Sequence, residues 1–417
     1  MSEPSPRNYQ RDLLWVLAIA ALCRILAIVV IDLGAFPSHG YESWEIAKNM
    51  YAGNGYAFGW YGLFKPGITT SFIPPLYPHL LYLSLLICQG SPEAAVILVQ
   101  GLHLVLGLAS VFLCMKLTNR IAGQSAALAA GIMMSIYPPL LGHLTQVQTQ
   151  TVEVFLLIAC LERLDYVFHN NSLRNAILTG IWAGLLIEVR PTFLLIIPTL
   201  VALLFWVRRE RRLRWRRGAI IMSTLVLIIL PWTIRNCVLH QTFVPASTNG
   251  GFAFFMGNNE DSNGGVGDIN QLFRDMPEVE QEKWRALSET ERNRQLWQMG
   301  IEFWRKNPQQ AIRLTLDRVG YFLWFRPYLL KAQFPRPFAI GYMASYALLL
   351  AFFSAGLFLI RGKVQAWFIP LIVLFAVFMT TIPFAISIRY RAIIEPLMIM
   401  VAAVPVAGLA ARFTRRR

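Results

Sequence analysis

A chain of 417 residues that is 56% hydrophobic and 15% charged, with a mean hydropathy of +0.48, excludes a soluble globular domain and belongs among polytopic membrane proteins. The net charge of +15 does not point to nucleic acid: seven arginines crowd into Arg208–Arg217 and four into Arg412–Arg417, both against apolar runs, as the positive-inside rule arranges them. The five cysteines (Cys23, Cys88, Cys114, Cys160, Cys237) lie in or beside apolar segments with no CxxC or zinc spacing, and read as small buried hydrophobes.

Taken in chain order, the apolar runs predict spans at 13–36, 92–115, 124–141, 150–168, 174–190, 191–207, 218–236, 338–360, 364–386 and 390–411. The first has no cleavage site after it and is predicted to be a retained anchor. Placing residues 1–12 in the cytoplasm gathers about half of the 38 Lys and Arg into alternate short loops, so both termini are expected inside. "PPLYPHLLYLSLLICQG" (Pro74–Gly90) is too short after its prolines to cross, and is predicted to be interfacial or re-entrant. Ala311–Leu330, carrying Arg313, Asp317, Arg318 and Arg326, is expected as an amphipathic helix on the outer surface. The expected organisation is an all-α bundle of about ten (nine to twelve) transmembrane helices with juxtamembrane helices. Residues 1–236 form an N-terminal transmembrane region with a first outer loop at 37–91, 237–337 an outer-face segment, and 338–417 the last spans and the basic tail. No internal repeat or inverted-repeat pattern of broken helices suggests a transporter.

The stretch "PSHGYESWEIAKNMYAGNGYAFGW" (Pro37–Trp60) follows the first span. As a helix over 40–52 it puts Ser43, Ile46, Ala47 and Met50 on an apolar face and Glu42, Glu45 and Asn49 on a polar one, with Ser38 to cap it and Gly53 to end it. A carboxylate there is partly desolvated, so its pKa can drift toward the range useful to a general base; the bland alternative is that both acids merely solvate a juxtamembrane helix or pair with Lys48. Glu153, at the outer start of the fourth span, is either a second cavity carboxylate or a partner for Arg190, and pairing is favoured. Arg24, inside the first span, is expected to face the bundle or snorkel and is given no catalytic role. "NNEDSNGGVGD" lacks the twelfth-position acid of a calcium loop and is expected to be a flexible loop.

"GYESWEIAKNMYAGNGYAF" followed by "FIPPLYPHLLYL", then "EVRPTFLL", "PWTIRNCVLHQTFVPASTNGGFAFFMGNN" and "SIRYRAIIEP", resembles the GT-C glycosyltransferases in order along most of the chain. Within them it is similar to the glycosyltransferase family 39 group, which includes protein O-mannosyltransferases and the lipid A aminoarabinose transferase. The resemblance implies transfer of a sugar from a polyprenyl-phosphate-linked donor, with inversion, to a glycan, lipid or protein acceptor on the periplasmic face of a bacterial inner membrane. It implies a first-loop acid as general base. Glu42 matches best by position, and since the Asp frequent there is missing, His39 or Glu45 could share the role. Ile73 stands where some members have a donor-contacting lysine before the double proline; Lys65 lies eight residues earlier, and Tyr77 completes the Pro-Pro-Leu-Tyr-Pro turn.

Breaking a sugar–phosphate bond leaves negative charge on a lipid phosphate, which fixed guanidiniums suit. Arg190, Arg235 and the pair Arg389/Arg391 around Tyr390 fall near the outer face and are the candidates, each with a snorkelling alternative. No cofactor is demanded. A divalent cation stays open, although Glu42, Glu45 and Glu153 have no ligand spacing, and no metal site is assigned. The rivals are a transporter or flippase of a lipid-linked sugar, and an inactive assembly subunit.

Overall fold

The computed structural model describes residues 6–30, 42–59, 67–170, 172–207, 211–265, 277–324 and 336–415. Among the described residues every extended regular element is a helix, and β-pairing is confined to two isolated bridges. The membrane part comprises α1 (Pro6–Val30), α4 (Pro92–Ala122), α5 (Gln124–Ile136), α6 (Pro138–Thr145), α7 (Gln150–Asn170), α8 (Leu173–Ile187), α9 (Phe193–Val207) and α10 (Arg211–His240). After the outer segment come α15 (Arg336–Ile360), α16 (Val364–Thr381) and α17 (Glu395–Arg415).

Where described, each of the ten predicted spans contains a helix, but they are not ten equivalent crossings. Among the described residues five stretches are long and apolar enough by themselves, six if the bent pair α5–α6 is one span, with α15 and α16 counted as one continuous stretch joined at Arg361–Lys363. The predicted span 124–141 is broken at Tyr137, where Pro138 and Pro139 occupy the first positions of α6, and the two helices meet at 49°. Helix α7 fails on charge, since it carries Glu153, Glu162, Arg163 and Asp165, while α8 and α9 have 15 residues each. The last span begins at Glu395 and not at 390, because Ile388–Tyr390 forms a 3-10 turn.

Close helix approach is encoded by glycine spacing. Gly180 and Gly184 of α8 face α10, where an added Cβ would stand 2.7 Å from the Ile221 carbonyl oxygen and 2.6 Å from Ile228 Cβ respectively. Small residues four apart let two helix backbones meet in a lipid environment that offers no hydrophobic drive between helices. Helix α17 is the interior element: Glu395–Ala403 are all buried, against α15 and α5. Conversely Leu14, Trp15, Leu22 and Val29 of α1 are exposed, as lipid-facing residues are.

The two polar segments predicted on one face do pack together. Here lie α2 (Glu42–Tyr51), α3 (Leu76–Ile87), α11 (Gly250–Gly257), α12 (Glu278–Ala286), α13 (Glu289–Lys306) and α14 (Pro308–Leu323). Ile46, Tyr56, Phe58, Phe72, Phe255 and Leu296 form a core of their own, apart from that of the bundle. Helix α3 is too short to cross, as predicted. Helix α14 is amphipathic as expected, with Ala311, Leu314 and Phe322 inward and Ile312, Leu316 and Leu323 outward, but its Arg318 is fully buried. That guanidinium bonds the Gly257 carbonyl and Asn258 Oδ1, and Asn258 also donates to the Pro383 carbonyl at 2.8 Å and accepts from Trp304 at 2.8 Å. The start of "NNEDSNGGVGD" is therefore pinned, and the flexible-loop expectation is corrected there.

Candidate functional site

Helix α2 presents the faces expected of it: Ser43, Trp44, Ile46 and Ala47 are buried while Glu42, Glu45 and Asn49 are half-buried. Gly53 and Gly55 have φ of +82° and +73°, the left-handed conformation that ends the helix and turns the chain back. The chain then pairs across the loop, Phe58 donating to the Ile68 carbonyl at 3.1 Å and Thr70 to the Tyr56 carbonyl at 3.0 Å. The two acids thereby part in role. Glu45 Oε1 accepts the Gly59 N–H at 3.2 Å, and beside it Asn49 donates to the Ala57 carbonyl at 2.9 Å, so Glu45 holds the loop. Glu42 opens the helix, where a carboxylate suits the positive end of the dipole. Lys48 is exposed and makes no ion pair among the described residues, so the pairing of the acids with Lys48 is not formed. His39 and Lys65 lie outside the described residues.

The loop is clamped from behind. Arg235, near the end of α10, donates to the Thr70 carbonyl and to Ser71 Oγ, each at 2.7 Å, with its guanidinium 4.4 Å from the Trp232 ring and 5.4 Å from that of Tyr56. Glu289, the first residue of α13, accepts Thr70 Oγ at 2.7 Å, the Ser71 N–H at 2.8 Å and the Thr248 hydroxyl. His240 Nε2 meets Ser71 Oγ at 2.8 Å. Tyr56 donates to the Ile73 carbonyl at 2.8 Å and stacks on His79 at 5.5 Å; burial pushes its hydroxyl well above its ordinary pKa.

A second group of cations sits where α7, the α8–α9 turn and the 388–390 turn meet. Arg190 bonds Glu153 at 2.8 Å, the pairing favoured from sequence, and Glu153 also accepts from Thr149 at 2.6 Å. The guanidiniums of Arg190 and Arg389 lie 5.2 and 5.5 Å from the Tyr390 ring. The two groups are linked through backbone, since Leu76 N–H donates to the Glu188 carbonyl at 3.1 Å. Glu188 is 5% exposed, its Oε1 has no hydrogen-bond partner, and burial pushes its carboxyl up to about 8.

Two predicted residues leave this set. Arg391 is 2% exposed: its Nε donates to Glu395 at 2.9 Å, its guanidinium lies 3.4 Å from the Tyr346 ring, and it bonds the Phe322 carbonyl at 3.2 Å. Arg389 and Tyr390 sit in a 3-10 turn that Arg391 closes, so the two arginines diverge, Arg389 half-buried beside Tyr390 and Arg391 in the core. Tyr77 is likewise buried, its hydroxyl 3.4 Å from His103 between α3 and α4. Sequence reasoning missed Glu289, Glu188, His79 and His240. Glu188 was signalled by its place in "EVRPTFLL", an acid next to an arginine and a proline; Glu289 carried no local signal beyond the helix start. Among the described residues no group of three His, Cys, Asp or Glu could hold a metal ion.

Comparison with known proteins follows the same division. Residues 73–234 match the dolichyl-phosphate-mannose-protein mannosyltransferase family, a stretch that includes Glu153, Glu188 and Arg190 and leaves out Glu42, Glu45 and Arg235. No curated protein matches the chain in sequence. In structure it is similar to the oligosaccharyltransferase of Archaeoglobus fulgidus, at 16% identity and a TM-score of 0.58 for the apo form over 96% of this chain and 51% of that one. For the form tethered to an acceptor peptide with the NVT sequon the values are 15% and 0.59, over 97% and 50%. ArnT from Cupriavidus metallidurans bound to undecaprenyl phosphate matches at 15% identity and a TM-score of 0.44, over 95% of this chain and 79% of that one. The chain thus spans about half the length of the oligosaccharyltransferase it resembles. Its helical architecture is similar to that of the oligosaccharyltransferase, and its residues 73–234 match a family of sugar transferases.

Proposed function

We propose that the protein is a membrane glycosyltransferase that moves a sugar from a polyprenyl-phosphate-linked donor to an acceptor hydroxyl or amine on the outer face, with inversion. The match of residues 73–234 to a family of sugar transferases carries the proposal. Glu42 takes the proton of the acceptor O–H or N–H as its oxygen or nitrogen attacks the anomeric carbon opposite the phosphate. The C–O bond to phosphate breaks, its electron pair leaves on polyprenyl phosphate, and the proton stays on Glu42. Arg190 and Arg389, arrayed at the Tyr390 ring, and Arg235 on the loop clamp supply positive charge for that leaving group. Glu45 positions the loop through Gly59.

The test uses the full chain in lipid nanodiscs with a panel of radiolabelled polyprenyl-phosphate sugars. Wild type is expected to release polyprenyl phosphate and label an acceptor. Glu42→Gln lowers kcat by about 100-fold or more with donor binding kept, in the range general-base removal produces. Full activity of Glu42→Gln removes Glu42 as the base. Movement of donor across vesicles with no sugar transfer overturns the proposal in favour of a transporter.

A further inference from the structure

Arg24 stands in the C-terminal third of α1, inside the apolar part of the bundle, and is 2% exposed. Its terminal nitrogens donate to the Ala20 carbonyl of its own helix at 3.2 Å and, at the limit of a hydrogen bond, to the Met134 carbonyl at 3.5 Å. Its Nε–H has no partner, and among the described residues no carboxylate pairs with it. A guanidinium without a counter-charge in such surroundings costs at least ~2.5 kcal/mol.

A glycine makes room for the Arg24 side chain itself. Gly107 of α4 lies opposite, and a Cβ there would stand 2.8 Å from Arg24 Nε. Beside them is a cavity between α1, α4, α5, α6 and α7, lined on its polar side by Ser110, His143, Gln150 and Thr151 as well as Arg24. Gln150 is also buried, and its Oε1 has no hydrogen-bond partner. The room in it is about 20 Å³, the scale of one water or one small ion. A water would satisfy Nε–H and Gln150 Oε1 but would leave the charge uncompensated. An anion accepts the Nε–H and balances the charge, and the Gln150 carboxamide, turned over, offers it an N–H.

We propose that this cavity binds one small monovalent anion of halide size, paired with Arg24. The ion fixes α1 against α4 and α7. The site is independent of the sugar-transfer proposal, since none of its residues serves that reaction.

The full chain is purified in detergent in gluconate buffer and titrated with chloride or bromide at constant ionic strength, reading Tm. A saturable rise of a few degrees is expected for both halides and none for sulfate, and it is lost in Arg24→Gln. Should Arg24→Gln fail to fold, Gly107→Ala, which fills the space and keeps the charge, should still remove the halide response. Bromide-soaked crystals should carry an anomalous peak within hydrogen-bond reach of Arg24 Nε. An equal response to gluconate, an unchanged halide response in Gly107→Ala, or ordinary water density without anomalous signal overturns the site.

Discussion

Arg391 and Glu395 form a nearly dry ion pair, 2.9 Å apart with side chains 2% and 0% exposed. Two unit charges about 4 Å apart attract by about 4 kcal/mol at an effective dielectric near 20, which agrees with the ~3–5 kcal/mol lost when one partner of a buried pair is removed. Glu395→Gln should therefore lower stability by about that amount, because it strands a guanidinium that also anchors the Phe322 carbonyl. The double variant Arg391→Met/Glu395→Leu removes both charges at similar volume. It should recover most of the loss, short of the ~1–2 kcal/mol from the cation–π contact with Tyr346. The assay is thermal unfolding in detergent for both singles and the double, with the transfer reaction measured on the same samples. A double as unstable as the sum of its singles refutes the pair as a self-contained unit. A rise of tenfold or more in donor KM, at unchanged fold, refutes the assignment of Arg391 to the core and returns it to the phosphate.

Removing the clamp with Glu289→Ala strips three hydrogen bonds to one carboxylate and should cost about 3 kcal/mol or more; hydrogen exchange should quicken at 68–73 while α15 to α17 keep their protection. Glu188, in the turn beyond α8, has a folded pKa raised from 4.5 to about 8, so its burial destabilises the fold once the unfolded carboxyl ionises. Stability should fall as pH rises from about 4.5 through about 8, and Glu188→Gln should flatten that limb of the Tm profile; an unchanged slope removes Glu188 as its source. Gly184→Val forces α8 from α10 at Ile228 and should cost about 1–3 kcal/mol, read as a lower Tm, whereas the same change at Gly362, with nothing near its Cβ position, should not.

The fold was legible wherever hydropathy and local chain stiffness decide the outcome. The apolar runs, the short α3, the polar and apolar faces of α2 and the stop at Gly53 all follow from period, length and glycine. What the chain does not disclose locally is which side chains meet across distance. Arg318 looks like one more charge on an amphipathic helix, yet it is buried because Asn258 and the Gly257 carbonyl, some sixty residues earlier, receive it. Arg389 and Arg391 share a dipeptide spacing that on an extended chain would aim both the same way; the 3-10 turn separates them. Glu289 shows the same limit, since its partners Thr70, Ser71 and Thr248 belong to two other segments.

The arginines that remain for the proposed reaction differ in how much donor capacity they have left. A guanidinium carries five N–H bonds. Arg190 gives one terminal nitrogen to Glu153, and its face turns to Tyr390, so it is oriented more than it is consumed. Arg235 commits one terminal nitrogen to the loop it holds and lays its plane near Trp232 and Tyr56. Loss of Arg235 would therefore disturb the loop after Glu42 and Glu45 as well as any phosphate contact, whereas loss of Arg190 would chiefly release Glu153. The backbone bond from Leu76 to the Glu188 carbonyl ties the two groups into one rigid unit, with Arg190 two residues beyond it. An anionic leaving group held at Tyr390 and an acceptor held over α2 would then be set relative to one another by this turn, in which Glu188 is buried with an unpartnered oxygen.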